Sequence, residues 1–382
     1  MPILVLHLVS TTGAVCGLLY CCGCLWSAAA FHFRRRQARP GRFAPPVSIL
    51  KPLCGIDPQG YESLRSHCLQ DYPNFEIIFG VRDPDDPVVP AVERLIREFP
   101  SVSIKLLMCP RTSGMNLKVS NLLQMLPAAR YEYLLINDSD IRVEQDYLRR
   151  AIAPLEDPHV GMVTCLFKGV AAGTLGSKLE AISIAADFIP GVLCATQLKG
   201  QLDFAMGSTL AFRRSTLDAI GGLEPLSDHL ADDYEMGNRT FKAGLEVKLA
   251  DCIAEHCLPN YSFAQFFEHQ LRWVRTVRSA RPRGYAGLIL TFAIPWSLVG
   301  VFAAPGAAWP WIVFSAAVVL RFAVALVFEM FILDYRSGLR DLWLLPIRDC
   351  LALVIWIWCY LGRTVIWRGK KFEVANGKLR PA

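Results

Sequence analysis

Asp138 and Asp140, one residue apart in Asn137-Asp-Ser-Asp140, are the side chains of this sequence that could hold a hard cation. They follow an apolar run, Leu134-Leu135-Ile136, that reads as a short buried strand. Ligands of open α/β sheets collect just beyond the carboxyl ends of strands. Two carboxylates on a turn leaving such a strand can share one Mg²⁺ or Mn²⁺, with water and diphosphate oxygens completing its shell. A cation held there would neutralise charge developing on a leaving diphosphate. Oxygen-only ligands suit these ions and make zinc or copper less apt. The same spacing also occurs in ordinary surface turns, so the reading depends on partners elsewhere in the chain.

The elements that must position this pair are legible around it. From Val47 to about Ala250, strand-like and helix-like stretches alternate, the pattern of an α/β domain with a mainly parallel sheet. Val47-Ser-Ile-Leu50, Phe75 to Val81, Val102 to Met108 and Gly161 to Phe167 read as strands. Gln59 to Gln70, Val88 to Phe99, Asn116 to Leu126 and Asp146 to Leu155 read as helices. Beyond Phe167 the pattern is less regular, with glycine-bearing loops at Gly200 to Gly207 and at Gly221-Gly222. Asp232-Asp233-Tyr234 starts a helix, its acids favoured near the positive N-terminal end. Ser262 to Ala280 is a basic helix with Arg272, Trp273, Arg275 and Arg278, suited to lie on an anionic membrane surface.

Composition places this domain on a membrane. The 382 residues are 53% hydrophobic and only 19% charged, with a mean hydropathy of +0.32. The middle of the chain is normally polar, so the apolar excess lies at the ends. Met1 to Phe33 carries no Asp, Glu, Lys or Arg and is long enough to span a bilayer. Arg34, Arg35, Arg36, Arg39 and Arg42 follow it, which puts that end, and the domain after it, in the cytoplasm. Pro40 to Pro46 reads as a linker. Tyr285 to Ala304, Trp309 to Leu333 and Leu342 to Trp367 are three further candidate spans, with a basic tail behind them. Three full crossings would carry that tail outside, against the positive-inside rule, unless one segment is re-entrant or interfacial. Arg321, near the middle of its span, either faces a lipid head group or the catalytic domain, or pairs with an acid of a neighbouring helix. The 13 cysteines do not form the two Cys-x-x-Cys pairs of a zinc site and read as reduced and buried. With a net charge of +6 but no basic stripe interleaved with aromatics, nucleic acid is excluded as a partner.

Four clusters fall in a fixed order: Val81-Arg-Asp83, Asn137-Asp-Ser-Asp140, Asp232-Asp233-Tyr234 and His269-Gln-Leu-Arg272-Trp273. This order resembles the membrane-bound inverting glycosyltransferases of the GT-A fold. Val47-Ser-Ile-Leu-Lys-Pro-Leu-Cys-Gly55, Asp71-Tyr-Pro73, Arg82-Asp-Pro-Asp-Asp-Pro87 and Asn116-Leu-Lys-Val-Ser-Asn121 resemble the ceramide glucosyltransferase branch. Within it, Gly80 to Pro87, Asn116 to Leu122 and His269 to Trp273 are similar to bacterial glycosyltransferases associated with hopanoid biosynthesis. That resemblance implies transfer of N-acetylglucosamine from its UDP donor to bacteriohopanetetrol at a bacterial inner membrane; the ceramide branch implies UDP-glucose and ceramide. A polysaccharide synthase would need several more spans, and a receptor built on a degenerate domain would not need all these acids. Where the broad family has Gln or Arg three residues before the Arg-Trp pair, this chain has His269.

By that resemblance, Asp83 holds the uridine of the donor, Lys118 lies near its diphosphate, and Asp138 and Asp140 bring Mg²⁺ or Mn²⁺ to it. Asp233 is the general base for the acceptor hydroxyl, with Asp232 its alternative. Arg272 and Trp273 lie on the other side of the nucleotide, and Gly207 lets backbone approach the sugar. The bland alternatives are helix caps for the acids and membrane anchoring for the Arg-Trp pair. The implied layout is an N-terminal span (1–33), a basic linker (34–46), a cytoplasmic GT-A domain (47–260), an interfacial helix (261–283), a C-terminal membrane region (284–367) and a basic tail (368–382).

Overall fold

The computed structural model describes residues 2–37, 42–57, 59–367 and 369–381. Helix α1 (Pro2–Gln37) continues through Arg34, Arg35 and Arg36 rather than stopping at Phe33. At about 1.5 Å per residue it is longer than the roughly 30 Å hydrocarbon core, so its basic end stands clear of the apolar layer. Part of the stretch between it and the first strand, residues 38–41 with Arg39 and Pro40, lies outside the described residues.

The α/β body then runs β1 (Val47–Pro52), α2 (Gly60–Cys68), β2 (Phe75–Val81), α3 (Val89–Glu98), β3 (Ser103–Met108), α4 (Leu117–Met125), β4 (Tyr133–Ile136), β5 (Ile141–Arg142) and α5 (Tyr147–Ile152). It continues with β6 (Val160–Val170), α6 (Leu175–Ser183), α7 (Ile189–Lys199), β7 (Leu210–Arg213), α8 (Arg214–Ala219), α9 (Asp232–Lys242), β8 (Glu246–Cys257) and α10 (Phe263–Ala280). The predicted strands and helices are all present, within a few residues. The eight strands form one sheet in the order β3-β2-β1-β4-β7-β6-β8-β5. Its pairings are parallel except where β7 enters between β4 and β6 and where β5 meets β8. Every residue of β1 is buried, as expected for a parallel strand covered on both faces.

Two features of this topology make the site. The chain moves outward from β1 through β2 to β3, then returns to the other flank of β1 as β4, so a crevice opens at the carboxyl ends of β1 and β4. Antiparallel β7 pairs Leu210 with Ile136, which sets the Gly207-Ser208 loop against the Asp138 turn.

The irregular stretch after Phe167 contains a long helix that the sequence pattern does not declare. α6 and α7 are joined through a π-helical turn, Ile184–Phe188. This segment is long and apolar enough to span a membrane, yet 72% of it is buried inside the protein. It packs on α1, with Gly23 against Cys194 and Gly191 against Tyr20.

The C-terminal region redraws the bounds of two expected spans: a bent pair within Pro282–Ala303 and the stretch Arg336–Tyr360 are each long and apolar enough to cross a membrane. Tyr285 to Ala304 is broken into α11 (Pro282–Gly287), a 3₁₀ turn (Leu288–Thr291) and α12 (Ala293–Ala303), bent by 52°. α12 runs antiparallel to α1, with Gly17 against Ala293 and Gly13 against Trp296. Helix α13 (Ala308–Val327) runs parallel to α1: Trp309 lies by His7 at one end. At the other, Arg35 Nη1 donates to the Ile332 carbonyl (3.0 Å).

The third expected span, Leu342 to Trp367, is not one helix. A 3₁₀ segment (Arg336–Leu344) leads into α14 (Leu345–Tyr360), and Thr364–Trp367 is strand β9. Both ends of this segment are tied to the α/β side. Lys178 Nζ of α6 meets Asp341 (2.8 Å) at the start, and Arg278 Nη2 of α10 donates to the Gly362 carbonyl (3.0 Å) at the finish. The basic tail is folded as well: β9, β10 (Lys370–Ala375) and β11 (Lys378–Pro381) form an antiparallel sheet over Val365, Phe372, Val374 and Leu379. It docks on the α/β body through Leu379 N to Asp228 O (2.7 Å) and Gly377 N to Ser279 Oγ (2.6 Å). Arg321 both pairs with an acid of a neighbouring helix and meets the catalytic domain, at Asp187 and the Ala186 carbonyl (2.9 Å) of the π turn. Its guanidinium grips Asp349 bidentately (2.7 and 2.7 Å) and reaches Asp187 (2.8 Å).

Candidate active site

Asp138 leaves the carboxyl end of β4 on a backbone braced from below. Lys51, wholly buried in β1, donates to the Asp138 carbonyl (2.9 Å) and lies 3.4 Å from His67 Nε2. Asn137 donates to the Ser208 carbonyl (2.6 Å) and to Tyr147 Oη (2.9 Å), with its own Oδ1 3.2 Å from His67 Nε2. Burial pushes Lys51 down to about 7, against the opposing pull of Asp140 and Asp138. Burial and then Lys51 hold His67 well below the usual imidazole range, so it is neutral. A lysine inside an otherwise apolar strand was the available signal for this brace; Tyr147 and His67 gave none.

The carboxylates converge above the brace. Asn116 caps α4 by accepting from Val119 N (3.1 Å), which fixes Lys118 in the first turn. Lys118 Nζ bridges Asp138 Oδ1 (2.8 Å) and Asp232 Oδ2 (3.1 Å). Burial opposes its charge, but Asp138, Asp232 and Asp233 outweigh that and raise its pKa. Asp138 itself is raised, by burial first and by Asp140, with Lys118 opposing.

On the other side, the β5 to β8 register sets Ile141 opposite His256, and His256 Nε2 lies 3.1 Å from Asp140 Oδ2. Burial pushes Asp140 up, but His256 and then Lys51 outweigh it and hold it at about 2. His256 is raised in turn by Asp140, against its own burial. Sequence reasoning missed His256, which lies 116 residues from its partner.

Asp232 and Asp233 divide their surroundings. Asp232 is 5% exposed and is held by Lys118 and by Asn116 Nδ2 (3.3 Å). Asp233 is half-buried; its Oδ2 accepts the Gly207 amide (2.7 Å) and its Oδ1 the Tyr234 amide (2.7 Å). Burial, then Asp232, raise Asp233 to about 6, with Lys118 opposing. A side chain at Gly207 would stand 2.7 Å from Asp138 Oδ2 and 3.2 Å from Asp233 Oδ2. Gly207 therefore keeps open the space where those two acids face each other.

Asp138 and Asp140 can share a hard cation only with outside help. Among the described residues, no group of three His, Cys, Asp or Glu side chains could hold a metal. Their side chains are 39% and 28% exposed, so water and diphosphate oxygens can complete a shell, the usual manner of Mg²⁺. The pair fits that ion in company with a diphosphate.

The remaining candidates lie around this centre. Asp83, exposed beyond β2, accepts the Asp85 amide (3.0 Å). It makes no helix cap, since α3 has Val88 at its N-cap and no side-chain cap; Asp86 instead turns the chain before the helix, its carboxylate accepting Val88 N (2.9 Å) and Gly55 N (2.9 Å). Arg272 is half-buried on α10. Trp273 joins the centre through a chain of tilted and edge-to-face ring contacts: Trp273 to Phe188 (5.6 Å), Phe188 to Phe167 (5.5 Å), Phe167 to His256 (5.8 Å). His269 Nδ1 lies 3.2 Å from Glu180 Oε1, a fully buried acid that also accepts from Gln270 Nε2 (2.8 Å).

Comparison with known proteins agrees with this arrangement of acids beside apolar helices. Ceramide glucosyltransferase 1 of Caenorhabditis elegans is 24% identical over 373 residues, covering 90% of this chain and 75% of that protein. A ceramide glucosyltransferase of Komagataella phaffii is 37% identical over 131 residues, 32% of this chain and 25% of that one. Among solved structures, a mannosyltransferase of Pyrobaculum calidifontis in complex with GDP-Man and Mn²⁺ is similar at a TM-score of 0.49 and 20% identity, covering 91% of this chain and 99% of that one. The model of glycosyl transferase family 21 matches residues 9–380, nearly the whole chain, and the protein belongs to that family of glycosyltransferases.

Proposed function

We propose that the protein is an inverting, divalent-metal-dependent transferase of GT-A type that moves one sugar from a UDP-sugar to a hydroxyl of a membrane lipid. The observation that carries this reading is the facing pair Asp138 and Asp233, separated only by Gly207, at the carboxyl ends of β1 and β4. In-line displacement needs a charge-stabilising group on the diphosphate side and a base on the acceptor side. Asp138 and Asp140 face the first task and Asp233 the second. Asp233, raised to about 6, is ionised at neutral pH and still basic enough to take the acceptor proton. Asp232, locked by Lys118 and Asn116, positions rather than reacts. A bound Mg²⁺ or Mn²⁺ would supply Lewis-acid stabilisation of the departing UDP. Asp83 binds the uridine, and Arg272 with Trp273 closes the other side of the nucleotide.

The chain enters the membrane region on the α/β side and leaves it there. In this reading the bent pair Pro282–Thr291 and Ala293–Ala303 crosses outward and α13 crosses back, while the segment 336–360, also long and apolar enough to cross, starts beside α6 and finishes beside α10 and is taken as re-entrant. Two crossings after the catalytic domain would keep that domain and the basic tail on one side of the membrane, the cytoplasmic side by the positive-inside rule.

Acceptor identity follows two lines. The names of the relatives favour ceramide with glucose, and His269-Gln-Leu-Arg-Trp273 favours a hopanoid with N-acetylglucosamine. The test is UDP release by the detergent-purified protein with Mg²⁺, Mn²⁺ or chelator, crossing UDP-glucose and UDP-N-acetylglucosamine with ceramide and bacteriohopanetetrol. Metal-dependent release with either lipid supports the reaction and selects the acceptor. Release indifferent to lipid and metal would refute it.

A further inference from the structure

A second polar cavity lies away from the acids, where α10, the end of α14 and the C-terminal sheet meet. It has a volume of about 820 Å³ and is lined by Arg275, Arg278, Arg363 and Arg380, with no acidic residue among its walls. None of the candidate donor residues lines it. We propose that this cleft binds the phosphate of an anionic lipid headgroup.

Two of the arginines are already fixed in place by backbone. Arg278 donates to the carbonyls of Cys359 and Gly362, and Arg275 to that of Thr364, groups left over at the end of α14 and the start of β9. These bonds spend acceptors without cancelling charge, so both guanidinium groups remain cationic. Arg275 Nε is buried with no acceptor among the described residues, a donor still in want of a partner. A side chain at Gly362 would stand 2.9 Å from Arg275 Nη2, so the glycine keeps that face of the guanidinium clear. Arg363 and Arg380 line the cleft as exposed side chains. Guanidinium forks suit phosphate oxygens bidentately.

The position selects a lipid over a soluble anion. The exposed Ile357, Trp358, Tyr360 and Leu361 run along α14 up to the cleft, and Tyr360 and Leu361 are part of its wall. Tyr285, Trp356 and Tyr360 pack together just there, with ring centroids 5.0 to 6.2 Å apart. Aromatic rings gather at the headgroup level of a bilayer. A lipid phosphate at that height meets the arginines while its chains lie on the apolar face. The proposal rests on the membrane orientation given above but on no step of the transfer reaction.

Binding is measured by native mass spectrometry of the full chain in neutral detergent, titrated with dioctanoyl phosphatidylglycerol, dioctanoyl phosphatidylcholine or inorganic phosphate. The expected result is that phosphatidylglycerol binds at least about tenfold more tightly than phosphatidylcholine, and that equal inorganic phosphate does not displace it. Arg363→Gln with Arg380→Gln should weaken phosphatidylglycerol roughly tenfold or more, since each surface arginine contributes about fivefold. Arg336→Gln with Arg340→Gln, equally exposed at the other end of the segment, should leave it unchanged. Arg380→Glu alone, on an edge strand, should lower it too should the double variant prove misfolded. Equal affinity for the two lipids, unchanged binding in the Arg363/Arg380 variants, or displacement by equal phosphate would each overturn the proposal. Lipid selectivity without any turnover would leave it standing and count against the transferase reading alone.

Discussion

The amide of Gly207 donates to Asp233 Oδ2 over 2.7 Å, while the space in front of Gly207 is closed on the other side by Asp138 Oδ2. One backbone donor thus aims the proposed base toward the proposed cation-binding acid. Both acids descend from rigid elements: Asp138 from β4 and its buried Lys51 and Asn137 brace, Asp233 from the first turn of α9. The separation of the two chemical tasks is built into the sheet order, because antiparallel β7 delivers Gly207 between them.

Gly207→Ala should cost activity out of proportion to stability. Its methyl group would crowd Asp138 at 2.7 Å and Asp233 at 3.2 Å. Turnover is expected to fall about a hundredfold, the order of loss for a misplacement of about 1 Å, with a melting temperature within a few degrees of wild type. Steady-state UDP release and a thermal melt measure the two together.

The pH profile should show an acid limb set by Asp233. The base must be ionised to accept a proton, and burial with Asp232 raises Asp233 to about 6. Turnover under saturating substrates should therefore fall about tenfold per pH unit below that value and be flat just above it. A cation at Asp138 and Asp140 favours the carboxylate, so raising Mg²⁺ should move the limb to lower pH. A limb unmoved by Asp233→Glu would assign the titration to another group.

His269 Nδ1 lies 3.2 Å from Glu180 Oε1, and we propose that it acts through that acid rather than on substrate. His269→Gln can still donate to Glu180 Oε1 and should keep most activity, whereas His269→Ala leaves that buried oxygen unpaired. The cost is about 1–3 kcal/mol of stability, read from denaturant or thermal unfolding. If the glutamine variant loses turnover a hundredfold while its melting temperature holds, the histidine has a direct chemical role.

Arg321→Leu should destabilise the membrane region more than Arg321→Leu combined with Asp349→Leu. The single change strands Asp349 and leaves Asp187 with Arg348 alone, at about 3–5 kcal/mol. The double change removes both buried charges, and its recovery in a melt measures the pairing.

Local pattern carried most of this fold. Runs such as Phe75 to Val81 and caps such as Asn116 declare themselves in the chain, and so do the acids at strand ends. What stayed hidden depends on register or on distant partners. His256 becomes a partner of Asp140 only because β5 and β8 pair Ile141 with it. Lys51 reads as part of a motif, and its function as a brace appears only when β1 lies beside β4. The α6 and α7 helix is masked by its π turn and by burial on all sides, which removes the amphipathic stripe. The tail sheet is masked by position, since Thr364–Trp367 continues the apolar run of α14 without a break in hydropathy.

The central claim is that Asp233 is the base and that donor binding does not need its charge. Asp233→Asn should be no less stable at pH 8. The folded state raises this carboxyl above its unfolded value, so ionised Asp233 costs stability above pH 6, and the amide removes that cost. The decisive measurement is lipid-dependent UDP release beside equilibrium binding of the UDP-sugar, in wild type and Asp233→Asn. The account predicts release lowered by at least about a hundredfold with donor affinity within a few fold of wild type. Unchanged release in Asp233→Asn would contradict it.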